Sequence, residues 1–249
     1  MNTSEFLNIS NLIVPDRTAI IFEGEKTSYS ELFNRVLVLA NSLKNMGLRP
    51  GDRIATIEVN SPAHIELYFA SAFLDLVYVP LNFRSTEEEL RHMLKDASPR
   101  IVFSGERYIT MLDSLKSELD SIEFLYILGS GNQGWAEYET LMSASIDDDM
   151  LQNIVPESDD DDLTMLMFTS GTTGFPKGVM LTHESFSSYI LSNVMPADME
   201  IEERNILTVP LYHIAGVQAF VYTSSSGAVT SPYAKYSQLK TKSNFKVDP

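Results

Sequence analysis

The sequence predicts an α/β layered fold built on a mainly parallel sheet. Three observations predict it. Short apolar runs of strand length alternate with segments of helical periodicity. Ser28 with Glu31, and Ser85 with Glu88, have the spacing of capping boxes that open helices. A later run, Leu163–Phe168 (LTMLMF), is continuously apolar, as a strand covered on both faces requires.

The elements run in order along the chain. Ala19–Phe22 and Lys26–Tyr29 flank Glu23-Gly24-Glu25 as a hairpin. From Ser28 a helix places Leu32, Val36, Leu39, Ala40 and Leu43 on one face, and Gly47 stops it. Arg53–Val59 reads as a strand, Ala63–Leu74 as a helix with a broad apolar face, and Val77–Leu81 as a strand. The second capping box leads a helix to Asp96. Ile101–Phe103 and Phe124–Leu128 are short apolar runs around a helix-like segment, and Gly129–Gly134 is a turn-rich loop. After Leu163–Phe168, a helix is expected from His183 to about Val194 and a strand over Ile206–Val209.

The chain has 249 residues, with 18 Lys and Arg against 34 Asp and Glu, a formal net charge of −16. That excess of acid argues against nucleic-acid and anionic-membrane partners, which need basic patches. With no Cys, a disulfide framework, thiolate zinc sites and Cys nucleophiles are excluded, and a reducing compartment fits. The N-terminus lacks the basic start and apolar run of a signal peptide, and no stretch reaches transmembrane length, so a soluble cytoplasmic protein is expected.

The charge is unevenly spread. Residues 1–222 carry a net −19, and residues 223–249 a net +3. The last 27 residues are rich in Ser, Thr and Lys, which reads as a tail that does not continue the fold before it. Between Lys116 and Arg204 the one basic residue is Lys177. The acidic residues around it, Asp147–Asp149, Glu157 and Asp159–Asp162, read as a solvated linker, because consecutive Asp lack the alternation and Gly turn of a calcium loop.

Directly after the apolar strand comes Thr169-Ser170-Gly171-Thr172-Thr173-Gly174-Phe175-Pro176-Lys177-Gly178. The glycines permit tight turns and close backbone approach. The hydroxyls of Thr169, Ser170, Thr172 and Thr173 are donors, successive backbone N–H groups form an anion nest, and Lys177 adds a point charge. A polyphosphate needs this set. Alone, each residue would suit a polar surface turn; together, after a buried strand, they point to a phosphate loop. The pattern is not G-x-x-x-x-G-K-[ST], since Pro176 stands at the second Gly position and Gly178 at the final hydroxyl, so a kinase- or GTPase-type loop is disfavoured.

Phe168–Val179, FTSGTTGFPKGV, closely resembles the phosphate-loop signature of the adenylate-forming (AMP-binding) superfamily, which includes acyl-CoA synthetases, luciferases and peptide-synthetase adenylation domains. Thr27–Leu32 resembles that family's T-Y-x-E-L, Leu48–Ala55 its G-D-x-V-A entry, Val79–Asn82 its V-P-L-N, and Pro210–Gly216 its P-x-x-H-x-x-G. The resemblance spans roughly residues 15–222 and fits the acyl-CoA synthetase branch best. It implies two steps: a carboxylate attacks ATP to give acyl-AMP and pyrophosphate, and coenzyme A then displaces AMP to give a thioester. It implies that Thr169, Ser170, Gly171, Thr172, Thr173, Gly174 and Lys177 bind the nucleotide, with Lys177 and Thr173 supporting pyrophosphate departure. Thr169 would also reach Mg²⁺, although one hydroxyl cannot hold that ion without phosphates and a carboxylate. His213 would wall the acyl and thiol pocket rather than act as a general base. His183 reads as a helix-start residue, and His64 and His92 sit in helices without a ligand partner at metal spacing.

The resemblance also breaks off. Family members are much longer and carry a Y-G-x-T-E segment whose Glu holds Mg²⁺, a T-G-D Asp for ribose, a hinge, and a small C-terminal domain with a catalytic Lys; none is found in residues 217–249. The expectation is a partial N-terminal domain over 1–222, with its phosphate loop at 168–179. Residues 223–249 are expected to be unrelated, disordered or out of frame, with the C-terminal domain absent. Asp75-Leu76 stands where the family usually has glycine. Two other readings stay open: a non-catalytic nucleotide-binding fragment, and an unrelated phosphotransferase. Fatty and aromatic acids both remain open as substrates, as does the oligomeric state.

Overall fold

The computed structural model describes residues 1–130, 134–143, 156, 158–169 and 174–232. Helix α1 (Ser4–Ile13) precedes a hairpin of β1 (Thr18–Phe22) and β2 (Glu25–Ser28). Its turn residues Glu23 and Gly24 both have positive φ, 53° and 98°, as a tight hairpin turn matched to strand twist requires. Ser28 and Glu31 form the expected reciprocal cap on α2 (Tyr29–Asn45). Next come β3 (Arg53–Ile57), α3 (Pro62–Phe73), β4 (Val77–Pro80), α4 (Glu87–Ala97), β5 (Ile101–Ser104), α5 (Ile109–Leu115) and β6 (Phe124–Ile127). The chain then gives β7 (Ala136–Glu137), β8 (Leu163–Thr169), β9 (Lys177–Thr182), α6 (His183–Asn193), β10 (Arg204–Leu207), α7 (Ile214–Ser226) and β11 (Val229–Pro232).

The described strands form two sheets. The larger has the order β7-β6-β5-β3-β4-β8-β9 and is parallel except for the β8–β9 pair. Alternate residues along its strands serve opposite faces. Ile54, Tyr78, Ile101 and Met165 join the cluster that holds α2 and α3, while Ala55, Val79 and Val102 join Leu90, Met93 and Leu94 of α4 and Leu112 of α5. Coverage on both faces explains why these runs read as nearly continuous apolar sequence. The smaller sheet has the order β10-β11-β1-β2 and shares the first cluster through Ile20 and Leu207. Tyr68 on α3 ties the layers together, edge-on to Phe220 of α7 at 5.2 Å and to Phe186 of α6 at 6.1 Å. A fully buried side chain of this size contributes roughly 1.5–3 kcal/mol through apolar burial.

Several expectations are corrected. The structured chain does not stop at Val221 or Tyr222: α7 runs to Ser226, Gly227 ends it at φ 67°, and β11 lies inside the smaller sheet between β10 and β1. The hydroxyl-rich composition misleads because the small side chains are buried against backbone. Thr223 Oγ1 donates to the carbonyls of Ala219 and Phe220, and Ser10 of α1 donates to the Ser224 carbonyl. Residues 233–249 lie outside the described residues.

The second capping box is Thr86 with Glu89, one residue later than expected. The expected strand Ile206–Val209 is Arg204–Leu207, paired in parallel with β11. Asp75, where glycine was the usual residue, has φ 54°; the turn into β4 demands the left-handed region, which Asp tolerates better than most side chains. Asp159–Asp162 are exposed, as a solvated linker should be, yet they are anchored. The Asp160 and Asp162 carbonyls accept from the Glu184 and His183 amides, and the Met1 ammonium pairs with the Asp160 carboxylate. Asp147–Asp149 and Glu157 lie outside the described residues.

Candidate nucleotide and acyl site

The larger sheet presents the C-terminal ends of β3, β4 and β8 along one edge, where open parallel sheets bind ligands. Thr169 ends β8 and Lys177 begins β9, and the two are cross-strand partners. Side chains of paired antiparallel residues project from the same face. The ladder therefore puts the Thr169 and Lys177 side chains on one face at the mouth of the Ser170–Pro176 connection. Ser170, Gly171, Thr172 and Thr173 lie outside the described residues. Gly174 has φ 130°, a conformation open in practice only to glycine. Gly178 packs closely on the strand beneath, since a Cβ there would lie 2.9 Å from Leu166 Cδ1.

Beside this hairpin is a cleft of about 380 Å³ whose lining includes Asn82, Met167, Thr169, Val179, Tyr212 and His213. Met167 pairs with Val179 as Thr169 pairs with Lys177, so one face of the β8–β9 hairpin forms the apolar wall. Thr169 and His213, 44 positions apart in sequence, thus line the same cleft. Asn82 also lines it, just past the end of β4, and its Oδ1 accepts from the Arg84 amide at 2.9 Å in the turn towards α4. Phe83 meets Tyr212 edge-on at 5.3 Å.

The P-x-x-H-x-x-G pattern has a local physical cause. The His213 amide donates to the Pro210 carbonyl at 3.0 Å, and the Gly216 amide donates to the His213 carbonyl at 2.8 Å. A Cβ at position 216 would collide with the Pro210 carbonyl oxygen, so only glycine lets the turn close over the first turn of α7. His213 is the N-cap of α7 and is exposed; its Nδ1 accepts from the Ala215 amide at 3.3 Å. A neutral ring with Nδ1 as acceptor carries its proton on Nε2.

Sequence reasoning missed Asn60, in the connection from β3 to α3. Its Nδ2 donates to the Val209 carbonyl at 2.9 Å, and its Oδ1 accepts from the Leu211 amide at 2.8 Å. This buried carboxamide fastens the turn that carries Tyr212 and His213 to the end of the central strand. An Asn before Ser-Pro at a helix start signals only a local turn, so its long-range role had no sequence signal.

Two of the other histidines, His64 and His183, are structural. His64 is buried, with Nδ1 2.7 Å from the Tyr78 hydroxyl and Nε2 3.1 Å from the Glu58 carbonyl, and desolvation lowers its pKa to about 4. His183 opens α6, as expected, and its Nδ1 accepts from the Thr3 amide at 3.1 Å. Burial lowers its pKa to about 4 as well.

Mg²⁺ favours six oxygens, usually from phosphates, carboxylates and water. Thr169 offers one neutral hydroxyl, and no group of three His, Cys, Asp or Glu among the described residues is placed to hold a metal ion. Thr169 alone therefore does not make a magnesium site. No helix among the described residues is long and apolar enough to cross a membrane.

Comparison with known proteins bears on the fold and the family. The chain is 30% identical over 217 residues to an indoleacetate–CoA ligase of Aromatoleum aromaticum, covering 87% of this chain and 42% of that protein. It is 33% identical over 203 residues to a feruloyl-CoA synthase of an Amycolatopsis species, covering 82% of this chain and 38% of that one. The chain thus spans about two fifths of the length of these curated relatives. The inhibitor-bound crystal structure of the N-terminal domain of FACL13 from Mycobacterium tuberculosis superposes with a TM-score of 0.78. The match covers 96% of this chain and 58% of that one, and at 23% identity it is a likeness of fold. The family model of the AMP-binding enzymes matches residues 13–246, nearly the whole sequence, and the chain belongs to that family.

Proposed function

We propose that this chain provides the phosphate-gripping part of an AMP-forming acid–thiol ligase that activates a carboxylic acid with ATP and passes it to coenzyme A. In the first step a carboxylate oxygen attacks the α-phosphorus, the bond to the bridging oxygen breaks, and pyrophosphate leaves. In the second the coenzyme A sulfur attacks the acyl carbon, AMP leaves with the bonding electrons, and the thiol proton is released.

The observation that carries this reading is the pairing of Thr169 with Lys177 at the mouth of the loop, on the face that also lines the His213 cleft. The family membership and the named relatives support it. Lys177 and the hydroxyls of Thr169, Ser170, Thr172 and Thr173 would hold the β- and γ-phosphates, with Gly171 and Gly174 admitting the backbone. The gain is electrostatic: charge gathering on departing pyrophosphate meets donors already in place. Mg²⁺, when present, neutralises phosphate charge and would arrive with the nucleotide. His213, which lines the cleft, would wall the acyl and thiol pocket. The apolar side chains of Met167, Val179 and Ile214 in the lining suit the body of an aromatic or fatty acid.

ATP–pyrophosphate exchange with a carboxylic acid panel tests the reading. Exchange that depends on the acid and falls roughly a hundredfold or more in Lys177→Ala and Thr173→Ala is expected, the scale of losing one preorganised donor. ATP binding without exchange would favour a nucleotide-binding unit with no turnover of its own. Release of ADP with phosphate on an acceptor would instead point to a phosphotransferase.

A further inference from the structure

His92 on α4 lies against the outgoing limb of the loop. Its Nε2 is 3.1 Å from the Pro176 carbonyl oxygen, and its ring stacks on Phe175 with centroids 4.9 Å apart and planes 28° from parallel. A carbonyl only accepts, so Nε2 carries the hydrogen. The neighbouring turn of α4 backs the same limb: a Cβ at Gly178 would lie 3.6 Å from Asp96 Oδ2. His92 and Asp96 are four apart and share one helix face.

The placement matters because Pro176 is joined directly to Lys177. The Pro176 carbonyl belongs to the peptide unit whose nitrogen is that of Lys177, and a peptide unit is planar. Fixing that oxygen fixes the plane on which the Lys177 Cα is mounted. Upstream, Gly174 at φ 130° is a joint with wide backbone freedom. The limb thus has a loose joint on one side and a pin at His92 on the other, just before the ladder begins at Lys177.

The geometry points to His92 as a positioning residue for Lys177. By holding the Pro176–Lys177 peptide plane it sets where the ammonium meets the phosphates of a nucleotide. This inference rests on the reading of the loop as an ATP-phosphate site. His92 acts through the lysine and does not itself touch the nucleotide.

Two measurements on the full chain test it. Amide hydrogen exchange without nucleotide should speed up across residues 174–178 in His92→Ala, with little change elsewhere and a cooperative denaturation transition retained. ATP titration should show affinity about five- to tenfold weaker, the scale of having to order on binding a limb that His92 no longer holds in place. His92→Gln, which keeps a donor, should recover part of the loss. In a double-mutant cycle His92→Ala should add almost nothing once Lys177 is Ala, because its effect passes through that lysine.

Unchanged exchange at 174–178, or losses from His92→Ala and Lys177→Ala that simply multiply, would overturn the proposal while leaving the phosphate reading intact. If Lys177→Ala binds ATP as well as the unmodified chain does, the phosphate reading itself falls and takes the proposal with it.

Discussion

Asn60 holds Leu211 in place: the Leu211 amide donates to Asn60 Oδ1 at 2.8 Å across 151 positions of sequence, while Asn60 Nδ2 donates to the Val209 carbonyl at 2.9 Å. One side chain thus satisfies two backbone groups of the turn before His213. Asn60→Ala strands both, and the expected loss is about 2–3 kcal/mol of stability. Asn60→Asp should not restore it, because a carboxylate oxygen would face the Val209 carbonyl. Urea denaturation checks both variants; a midpoint unchanged in Asn60→Ala would show that the clamp contributes little.

Gly216 and Gly105 make a matched pair of tests. At Gly216 an added Cβ meets the Pro210 backbone carbonyl, which cannot move without opening the turn under His213. At Gly105 it meets the end of the Glu58 side chain, which can rotate away. Gly216→Ala should therefore cost about 1–3 kcal/mol, as overpacking usually does, and Gly105→Ala clearly less. Equal losses in thermal or urea melts would contradict the distinction.

Two buried histidines make stability fall in mild acid. His64 and His183 have folded-state pKa values of about 4, below their unfolded value near 6.5, because burial disfavours the charged ring. Between those values the unfolded chain binds more protons, so stability is full above about pH 6.5 and declines as the pH drops toward 4. The limit is on the order of 3 kcal/mol for each histidine. The urea midpoint of His64→Gln should change less between pH 7 and pH 5 than that of the unmodified chain; parallel curves would refute the buried neutral state.

Two sheet edges and the outer side of α6 expose apolar surface. Met180 on the edge strand β9 is 69% exposed, Leu191 on α6 is 64% exposed, and Ile206 on the edge strand β10 is 45% exposed. Open edges with apolar side chains favour association with other chains. Light scattering should show self-association of the isolated chain that rises with concentration, and Met180→Lys with Ile206→Lys should reduce it. A monodisperse monomer at all concentrations would count against this.

Much of the layering was legible because it is local. Capping at Ser28, the positive-φ hairpin at Glu23-Gly24 and the alternation from β3 to β6 depend on residues within a few positions of one another. The elements that were not legible depend on distant partners. Helix α7 and strand β11 look polar because Thr223 and Thr230 hide their hydroxyls against backbone and against each other, with a 2.6 Å Thr223–Thr230 contact. Strand β9 was hidden inside what read as loop, since its register comes from pairing with β8 and not from its own pattern.

The sequence by itself determined the family and placed the hydroxyls, glycines and one lysine on which the phosphate-loop proposal rests, because residues packed into ten positions are a local fact that folding does not alter. Tertiary structure decided what that chemistry faces. Antiparallel pairing set Thr169 beside Lys177, Asn60 drew the 209–213 turn to the end of β3, and α4 brought His92 onto Pro176. Each is a contact across many residues, fixed by sheet register and helix packing, and such pairings leave no trace in the spacing of residues along a single chain.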